Sequence, residues 1–275
     1  MILFLHIQKT GGTTFVSILD RNFGCSNCHA YQTRREIFSP ADFEFVKTLF
    51  PRLRSIVGHN LVDPLRFRVA DPFYVTFLRE PVARVISHYQ FSVAKGKNRL
   101  TFEESLQKHD HLNNWQVRLM AGGENLDKAK RFLERCGFIG LTEKFDLSLH
   151  LLERLTPCQL DLHYKRRKVA KDNVIKESLL SDNRMMELAR KHNALDMELH
   201  QFAVNEIFPR LCQKAGINPA DEVASYEIPA DDLPLKYRLG RLYNKVFFRQ
   251  LCKLRYKLKC TVPRESSGDL LSSAG

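Results

Sequence analysis

Twice in its first 90 residues the chain passes from a short apolar run, through a polar turn, into a helical repeat of apolar residues. The first run covers residues 2–7. The second covers residues 73–78 and stops at Arg79, with Pro81 suitably placed at a helix start. Two such strand-to-helix units predict an α/β domain with a parallel central sheet.

The rest of the chain predicts further elements around that sheet. Residues 54–57 and 137–141 are typical of short strands, and the C-terminal half is rich in helical periodicity, with one long stretch over 179–215. A segment rich in Pro, Asp and Ala then indicates a linker. The 275 residues therefore predict one domain over 1–215, followed by a linker and a C-terminal helix over 216–275.

The C-terminal helix has its own composition. Residues 235–260 contain nine Lys or Arg and no Asp or Glu. Their apolar residues recur at steps of three and four, namely Leu235, Leu239, Leu242, Val246, Phe247, Leu251, Leu254 and Leu258. A basic amphipathic helix of this kind can lie on an anionic membrane surface, or it can pack its apolar stripe against the main domain. Both interpretations stay open.

The first turn has the chemistry of an anion-binding loop. Glycines between a strand and a helix let the backbone turn tightly, and the amides and dipole of the helix start favour negative charge. Lys9 adds a cation, and neighbouring threonines add hydroxyl groups. The predicted phosphate-binding residues are Lys9, Thr10, Gly11, Gly12, Thr13 and Thr14. The GxxxxGK[ST] pattern of nucleoside triphosphatases is absent, because the lysine here precedes the glycines.

Two motifs carry a family resemblance. His6–Phe15, HIQKTGGTTF, resembles the 5'-phosphosulfate loop of membrane-type carbohydrate sulfotransferases and is especially similar to heparan sulfate 6-O-sulfotransferases. Phe77–Tyr89, FLREPVARVISHY, resembles the family's 3'-phosphate motif, in which Arg79 and Ser87 would hold that phosphate. Glu80 stands where the family more often has aspartate, which is a conservative departure.

Weaker similarities to the family extend along the chain to about residue 215. They are the segment 113–122, of the form N-x-Q-x-R-x-x-x-G, the G-L-T-E segment at 140–143, and the N-x-x-D segment at 193–196. The basic C-terminal helix has no counterpart that can be aligned with the family.

The resemblance implies a function. It implies transfer of a sulfuryl group from 3'-phosphoadenosine-5'-phosphosulfate (PAPS) to a carbohydrate hydroxyl, with 3'-phosphoadenosine-5'-phosphate (PAP) as product and no metal. It also implies a three-layer α/β sandwich similar to P-loop nucleoside triphosphate hydrolases. The acceptor stays open between an acidic polysaccharide and a glycolipid, because fold and donor site do not define it.

A base of near-neutral pKa is needed to accept the proton of the attacking hydroxyl, which indicates a histidine. His59 follows a predicted strand, where similar sulfotransferases place their catalytic residue, so we expect His59 and Lys9 to be catalytic. His88 lies on the helix of Ser87, and helical geometry predicts that it faces away from Ser87. A histidine hydrogen-bonded in a loop is the alternative reading of His59.

A cluster of five cations lies in residues 164–171, YKRRKVAK. We expect either a lid over the nucleotide, with Arg167 and Lys168 as candidate contacts, or a cradle for an acidic acceptor. A solvated basic loop is the plain alternative.

The motif Cys25–His29, CSNCH, matches the c-type haem attachment pattern. It can be set aside, because haem attachment occurs on exported chains and no export signal is present in these residues. No second CxxC completes a zinc site. The seven scattered cysteines predict free thiols in a reducing compartment.

The net charge of +12 predicts an anionic partner. No zinc-finger, RNP or basic-zipper signature occurs, so nucleic acid is not expected as a partner. The alternative function is a non-catalytic basic module that binds nucleic acid or an anionic membrane.

No secretory signal or apolar run of about 18 residues occurs. We therefore expect a cytoplasmic or membrane-associated bacterial enzyme, or a Golgi-lumen enzyme if the chain is a trimmed animal-type form.

Overall fold

A computed structural model describes residues 1–33, 37–50, 52–67, 69–165, 173–228 and 234–261, with side chains up to residue 256. Five parallel strands form one sheet in the order β2-β3-β1-β4-β5. They are β1 (Ile2–Leu5), β2 (Asn27–His29), β3 (Ser55–Gly58), β4 (Phe73–Leu78) and β5 (Phe138–Leu141). The predicted parallel sheet is confirmed, and β2 is a strand that the sequence analysis did not predict.

Thirteen α-helices are present in the described residues. They are α1 (Gly12–Phe23), α2 (Pro40–Leu49), α3 (Pro81–Ala94), α4 (Phe102–Lys108), α5 (Trp115–Ala121), α6 (Leu126–Arg135), α7 (Phe145–Leu155), α8 (Val174–Ser181), α9 (Asn183–His192), α10 (Ala194–Phe202), α11 (Phe208–Ala215), α12 (Leu235–Leu242) and α13 (Arg249–Thr261). The predicted helical stretch over 179–215 is helical almost throughout but is divided among α8, α9, α10 and α11. Asp182 divides it by accepting hydrogen bonds from the amides of Arg184 and Met185, which starts α9.

Helices cover both faces of the sheet. Every residue of β1 is buried, as expected for a strand with helices on either side. Phe4 of β1 packs edge-on against Phe15 of α1 and Phe77 of β4, which joins the helix layer to the sheet. The parallel sheet between helices is the expected three-layer α/β sandwich.

The register aligns the carboxyl ends of three central strands. Leu5 of β1 pairs with Gly58 of β3 on one side and with Thr76 of β4 on the other. The residues that follow these strands therefore meet at one edge of the sheet, where open α/β sheets bind their ligands.

The C-terminal helix packs on the main domain through a face that the sequence analysis did not identify. Tyr237, Gly240, Asn244, Phe248 and Cys252 are buried, whereas most of the predicted apolar stripe is exposed. The exposed members are Leu235, Leu239, Leu242, Val246, Phe247 and Leu254. Of the two interpretations left open by the sequence, the one in which this stripe packs against the main domain does not hold for these residues.

Two contacts explain why the other face was buried. A Cβ on Gly240 would lie 2.3 Å from the carbonyl carbon of Gly24, so the two backbones touch only because no side chain is there. The Asn244 amide accepts from His29 N and donates to Asn27 O, both at 2.8 Å. It thereby pairs the open backbone groups of the edge strand β2.

The predicted linker is partly attached to the domain. Tyr164 N donates to Tyr226 O at 3.0 Å, and Ile228 N donates to Tyr164 O at 2.8 Å.

Among the described residues, no helix combines the length and the apolar character that crossing a bilayer requires.

Candidate active site

The loop after β1 has a backbone shaped for an anion. Lys9 and Gly11 both have left-handed backbones, with φ of 71° and 79°, and α1 begins at Gly12. Left-handed residues before a helix turn successive amides toward one point, and a non-glycine residue held there is typical of a functional site. The helix start adds amides that have no partner within the helix.

The predicted loop residues divide into two groups. Lys9, Gly11, Gly12, Thr13 and Thr14 line a cleft at the carboxyl edge of the sheet. Thr10 is fully buried, and its hydroxyl donates to the carbonyl of Ile7 at 2.9 Å. We therefore expect the Thr10 side chain to brace the loop rather than to contact a ligand.

Arg79 and Ser87 lie in the same cleft as the loop. Arg79 follows β4, and its Nη1 donates to the carbonyl of Lys9 at 3.1 Å. Ser87 lies on α3, one turn before Phe91, whose ring centre is 4.2 Å from the Lys9 ammonium. The structure thus brings the two motifs together, although about 70 residues separate them.

The cleft has the composition of an anion site. Its volume is ≈ 540 Å³, within the range of small-molecule sites. The cations Lys9, Arg79 and Lys176 line it together with three histidines, and no carboxylate is among the described lining residues. Phe91, Phe145 and Tyr164 add aromatic surface. Cations and hydroxyl groups beside aromatic rings suit a nucleotide with more than one phosphate.

His59 lies directly after β3 and lines the cleft. Its Nδ1 lies 2.5 Å from the carbonyl oxygen of His6, and the two imidazole rings are 4.1 Å apart. A carbonyl can only accept, so Nδ1 carries the proton and Nε2 is left as the basic nitrogen of the neutral ring. His6, which we had not expected at the site, fixes this tautomer.

His88 also lines the cleft, so the expectation that it faces away from Ser87 is wrong. Neighbouring helix positions are about 100° apart, and the cleft is wide enough to contact both side chains. Burial, followed by the nearby His111, Arg84, Lys9 and His109, lowers the pKa of His88 to about 3. His88 is therefore neutral at physiological pH.

A buried amide holds the backbone of Arg79. Gln116 Oε1 accepts from Arg79 N at 3.1 Å, and Gln116 Nε2 donates to Arg79 O at 3.0 Å. Gln116 lies in the first turn of α5, where the amides of Gln116 and Val117 donate to the buried carboxylate of Asp196. The weakly similar segments 113–122 and 193–196 therefore form one support behind Arg79.

The G-L-T-E segment supports the same turn from the other side. The Thr142 hydroxyl donates to Leu78 O at 2.9 Å, and Glu143 accepts from Glu80 N at 2.8 Å. Glu80 in turn accepts from the amides of Val82 and Ala83 and so caps α3. Glutamate at position 80 thus performs an N-cap role that aspartate commonly has.

Arg84, which the sequence analysis left outside the core site, is fully buried. Burial lowers its pKa to about 10, the nearby Asp196 opposes that shift, and Arg79 adds to it. Arg84 is absent from the cleft lining, and its Nη1 donates to the carbonyl of His111 at 3.3 Å.

Arg167 and Lys168 lie outside the described residues. The cleft is lined by Tyr164, which precedes them in the sequence, and by Asn173 and Lys176, which follow them. Lys176 is a lining cation that the sequence analysis missed, because one lysine on a short helix carries no pattern that sets it apart. Gln8 also lines the cleft, and its side chain accepts from the Trp115 indole at 2.5 Å.

The CSNCH motif serves the interior. Cys28 is buried in β2, and burial raises the pKa of its thiol well above the usual value. His29 Nε2 lies 2.7 Å from the buried Asp20 carboxylate. The described residues contain no cluster suited to a metal, and all six described cysteines are free thiols.

Comparison with known proteins gives a consistent result. A family model described as "Sulfotransferase family" matches residues 1–203, which includes all five strands. A heparan sulfate 2-O-sulfotransferase of Caenorhabditis elegans is 27% identical, over 88% of this chain and 87% of its own length.

Other relatives match shorter parts of their own sequences. A heparan-sulfate 6-O-sulfotransferase 2 of Gallus gallus is 27% identical over 74% of this chain and 66% of its own. A heparin sulfate O-sulfotransferase of Drosophila melanogaster is 27% identical over 57% and 56%. A crystal structure of a sulfotransferase from Alicyclobacillus acidocaldarius superposes with a TM-score of 0.44 and 16% identity, over 74% of this chain and 95% of that one. The cleft and the family match over most of the chain lead to one conclusion: the chain belongs to the sulfotransferase family.

Proposed function

We propose that this sulfotransferase uses PAPS and transfers its sulfuryl group to a carbohydrate hydroxyl. The observation that carries the proposal is the shared cleft of Lys9, Arg79, Ser87 and His59. It holds anion-binding groups from two strand ends and a histidine from a third. PAPS supplies the activated sulfuryl group, and its bridging oxygen leaves with the 5'-phosphate as PAP.

The chemistry of the lining residues fits PAPS. In our proposal the amides of Gly12 and Thr13 and the hydroxyls of Thr13 and Thr14 bind the phosphosulfate end. Lys9 stabilises the negative charge that develops on the departing oxygen. Arg79 and Ser87 bind the 3'-phosphate, for which a guanidinium fork and a hydroxyl are suitable donors.

His59 acts as the general base in this proposal. The hydrogen bond to His6 O holds a proton on Nδ1, so Nε2 is the ring nitrogen that can accept a further proton. That nitrogen accepts the proton of the acceptor hydroxyl as its oxygen bonds to sulfur and the bridging S–O bond breaks. Holding base, acceptor and donor in line supplies most of the rate enhancement, by analogy with phosphoryl transfer.

The acceptor we propose is an acidic polysaccharide or a glycolipid. The relatives are named for heparan sulfate or heparin sulfate, which supports a polysaccharide. The net charge of +12 supports an acidic chain. A cytoplasmic, membrane-associated location and a Golgi-lumen location both stay predictions.

Calorimetry with PAP tests the donor site. We expect the full chain to bind PAP, and Arg79→Ala to weaken binding by roughly 10- to 100-fold, the usual effect of losing a charged hydrogen bond. Arg99→Ala removes an exposed arginine outside the cleft lining and serves as the control. Equal PAP affinity in Arg79→Ala and the unaltered chain would contradict the proposed site.

Transfer of radiolabelled sulfate from PAPS to a panel of glycans then tests the acceptor class. Label should appear on acidic polysaccharides or on glycolipids. PAP binding with no transfer to any carbohydrate would refute the acceptor class and leave the donor site intact.

A further inference from the structure

The C-terminal helix carries an exposed row of apolar side chains, which we call the outer stripe: Leu235, Leu239, Leu242 and Val246. They are 70%, 49%, 58% and 50% exposed. At about 100° per residue the three leucines of α12 fall within roughly 60° of one another, and Val246 follows in the π-helical segment Tyr243–Phe248 that joins α12 to α13. They lie about opposite the buried face of Tyr237, Gly240, Asn244 and Phe248, so packing on the domain leaves the outer stripe facing outward.

Cations border the outer stripe. Lys236, Arg238 and Lys245 are exposed and Arg249 is half-buried, and helical geometry places them beside the stripe rather than opposite it. No Asp or Glu occurs in residues 235–260 to neutralise them. An apolar row between cations has the form of a helix that lies in a membrane interface.

This combination selects among the possible occupants. An acidic glycan would pair with the cations but gives the leucines no apolar partner. A second copy of the helix would bring like charges together, which is unfavourable. A bilayer with anionic headgroups satisfies both components, because acyl chains receive the leucines and headgroups pair with the lysines and arginines.

We propose that the outer stripe and its bordering cations dock this protein on the surface of an anionic phospholipid bilayer. The inner face of the helix is fixed to the domain by the hydrogen bonds of Asn244 to β2. The docking surface is therefore already formed in the absence of a membrane. Docking is independent of the proposed transfer reaction, because no outer-stripe residue lines the cleft.

Vesicle co-sedimentation of the full chain tests the proposal. The chain should bind vesicles of phosphatidylglycerol and phosphatidylcholine, and should bind pure phosphatidylcholine at least about tenfold more weakly. Leu239→Gln/Val246→Gln should lower the partition coefficient by about tenfold or more, since apolar burial is lost. Arg238→Gln/Lys245→Gln should lower it by about fivefold for each cation removed.

Matched variants on other surfaces control for general effects. Ile37→Gln/Leu180→Gln removes two exposed apolar side chains, and Lys95→Gln/Lys97→Gln removes two exposed cations. Both should bind vesicles like the unaltered chain. PAP calorimetry on every variant verifies folding, and its result does not depend on vesicle binding.

Three outcomes would overturn the proposal. They are unaltered vesicle binding by the outer-stripe variant, equal binding to neutral and anionic vesicles, and a stripe-dependent dimer that excludes vesicles. Displacement by heparin with no effect of the outer-stripe variant would also overturn it, and would assign the surface to a polyanion instead.

Discussion

At the scale of single residues, His59 is the most decisive side chain of the cleft. If it is the general base, His59→Ala should lower the rate of transfer by about 10²- to 10⁴-fold, the usual contribution of such a base. PAP affinity should change little, because the proposed PAP contacts come from other residues. Single-turnover transfer and PAP calorimetry measure the two effects.

The control for His59 is His163→Ala, an exposed histidine outside the cleft lining. It should transfer at the rate of the unaltered chain. Turnover by His59→Ala at that same rate would exclude His59 from proton transfer.

His88 makes the stability of the protein depend on pH. Its pKa of about 3 lies below the ordinary value of 6.5, because of burial and the nearby His111, Arg84, Lys9 and His109. Below pH 6.5 the unfolded chain therefore takes up a proton that the folded chain rejects, and stability falls with pH down to about 3. Above pH 6.5 the effect is absent.

The measurement is urea unfolding of the unaltered chain and of His88→Gln from pH 8 to pH 4. The free energy of unfolding of the unaltered chain, relative to the variant, should be constant above pH 7. It should then fall by at most about 1.4 kcal/mol per pH unit below 6.5. A constant difference over the whole range would show that His88 titrates normally.

At the scale of elements, the residues after β1, β3 and β4, together with α3, supply most of the cleft lining. Arg79 and Ser87 were predicted from the family resemblance of residues 77–89. The loop residues around Lys9 could be identified from the residues alone, because glycines, a lysine and threonines follow an apolar run. The strand β2 could not, since Asn27, Cys28 and His29 lack the apolar or β-branched character of a buried strand.

The support behind Arg79 was visible only as weak family similarity. Nothing local in the sequence says that Gln116 will meet the backbone of Arg79, or that Asp196 will cap α5. Such contacts depend on tertiary packing across about 80 residues.

Gln116 should act as a positioning residue. Gln116→Met keeps the side-chain volume but removes both hydrogen bonds to the Arg79 backbone. We expect PAP affinity to fall by about tenfold and KM for the donor to rise, while the acceptor KM stays the same. Calorimetry and steady-state kinetics with each substrate varied in turn provide the test.

Asn98→Leu is the matched control for Gln116. Asn98 also accepts from a backbone amide, that of Leu100, and donates to Ser105 Oγ, but it lies away from the cleft lining. It should lose stability without losing PAP affinity. An equal loss of PAP affinity in both variants would reduce the role of Gln116 to general stability.

At the scale of the whole molecule, the C-terminal helix forms part of the fold, although the chain was divided at residue 215 in the sequence analysis. Hydrophobic periodicity identified the helix but could not identify its packing face, because the buried side includes Gly240 and Asn244, which no apolar pattern selects. Close backbone approach and strand-edge pairing decided the packing instead.

Asn244→Ala should therefore destabilise the entire chain. It removes the side chain that pairs with Asn27 O and His29 N, and it leaves two backbone groups of β2 without that partner. The expected loss is about 2–4 kcal/mol in the free energy of unfolding, within a single transition. Urea unfolding followed by both fluorescence and circular dichroism measures it. Two separate transitions would mean that the helix unfolds independently.

The hydrogen bond from Arg79 to the Lys9 carbonyl has a consequence for ligand selection. It ties the guanidinium of one strand end to the backbone of the loop at the other, so ordering either end also orders its neighbour. An adenosine with a phosphate at only the 3' or only the 5' position would contact one of the two strand ends. It would not gain from the ordering of the other end. If the cleft binds PAPS as proposed, we therefore expect AMP to bind more weakly than PAP without any steric barrier against it.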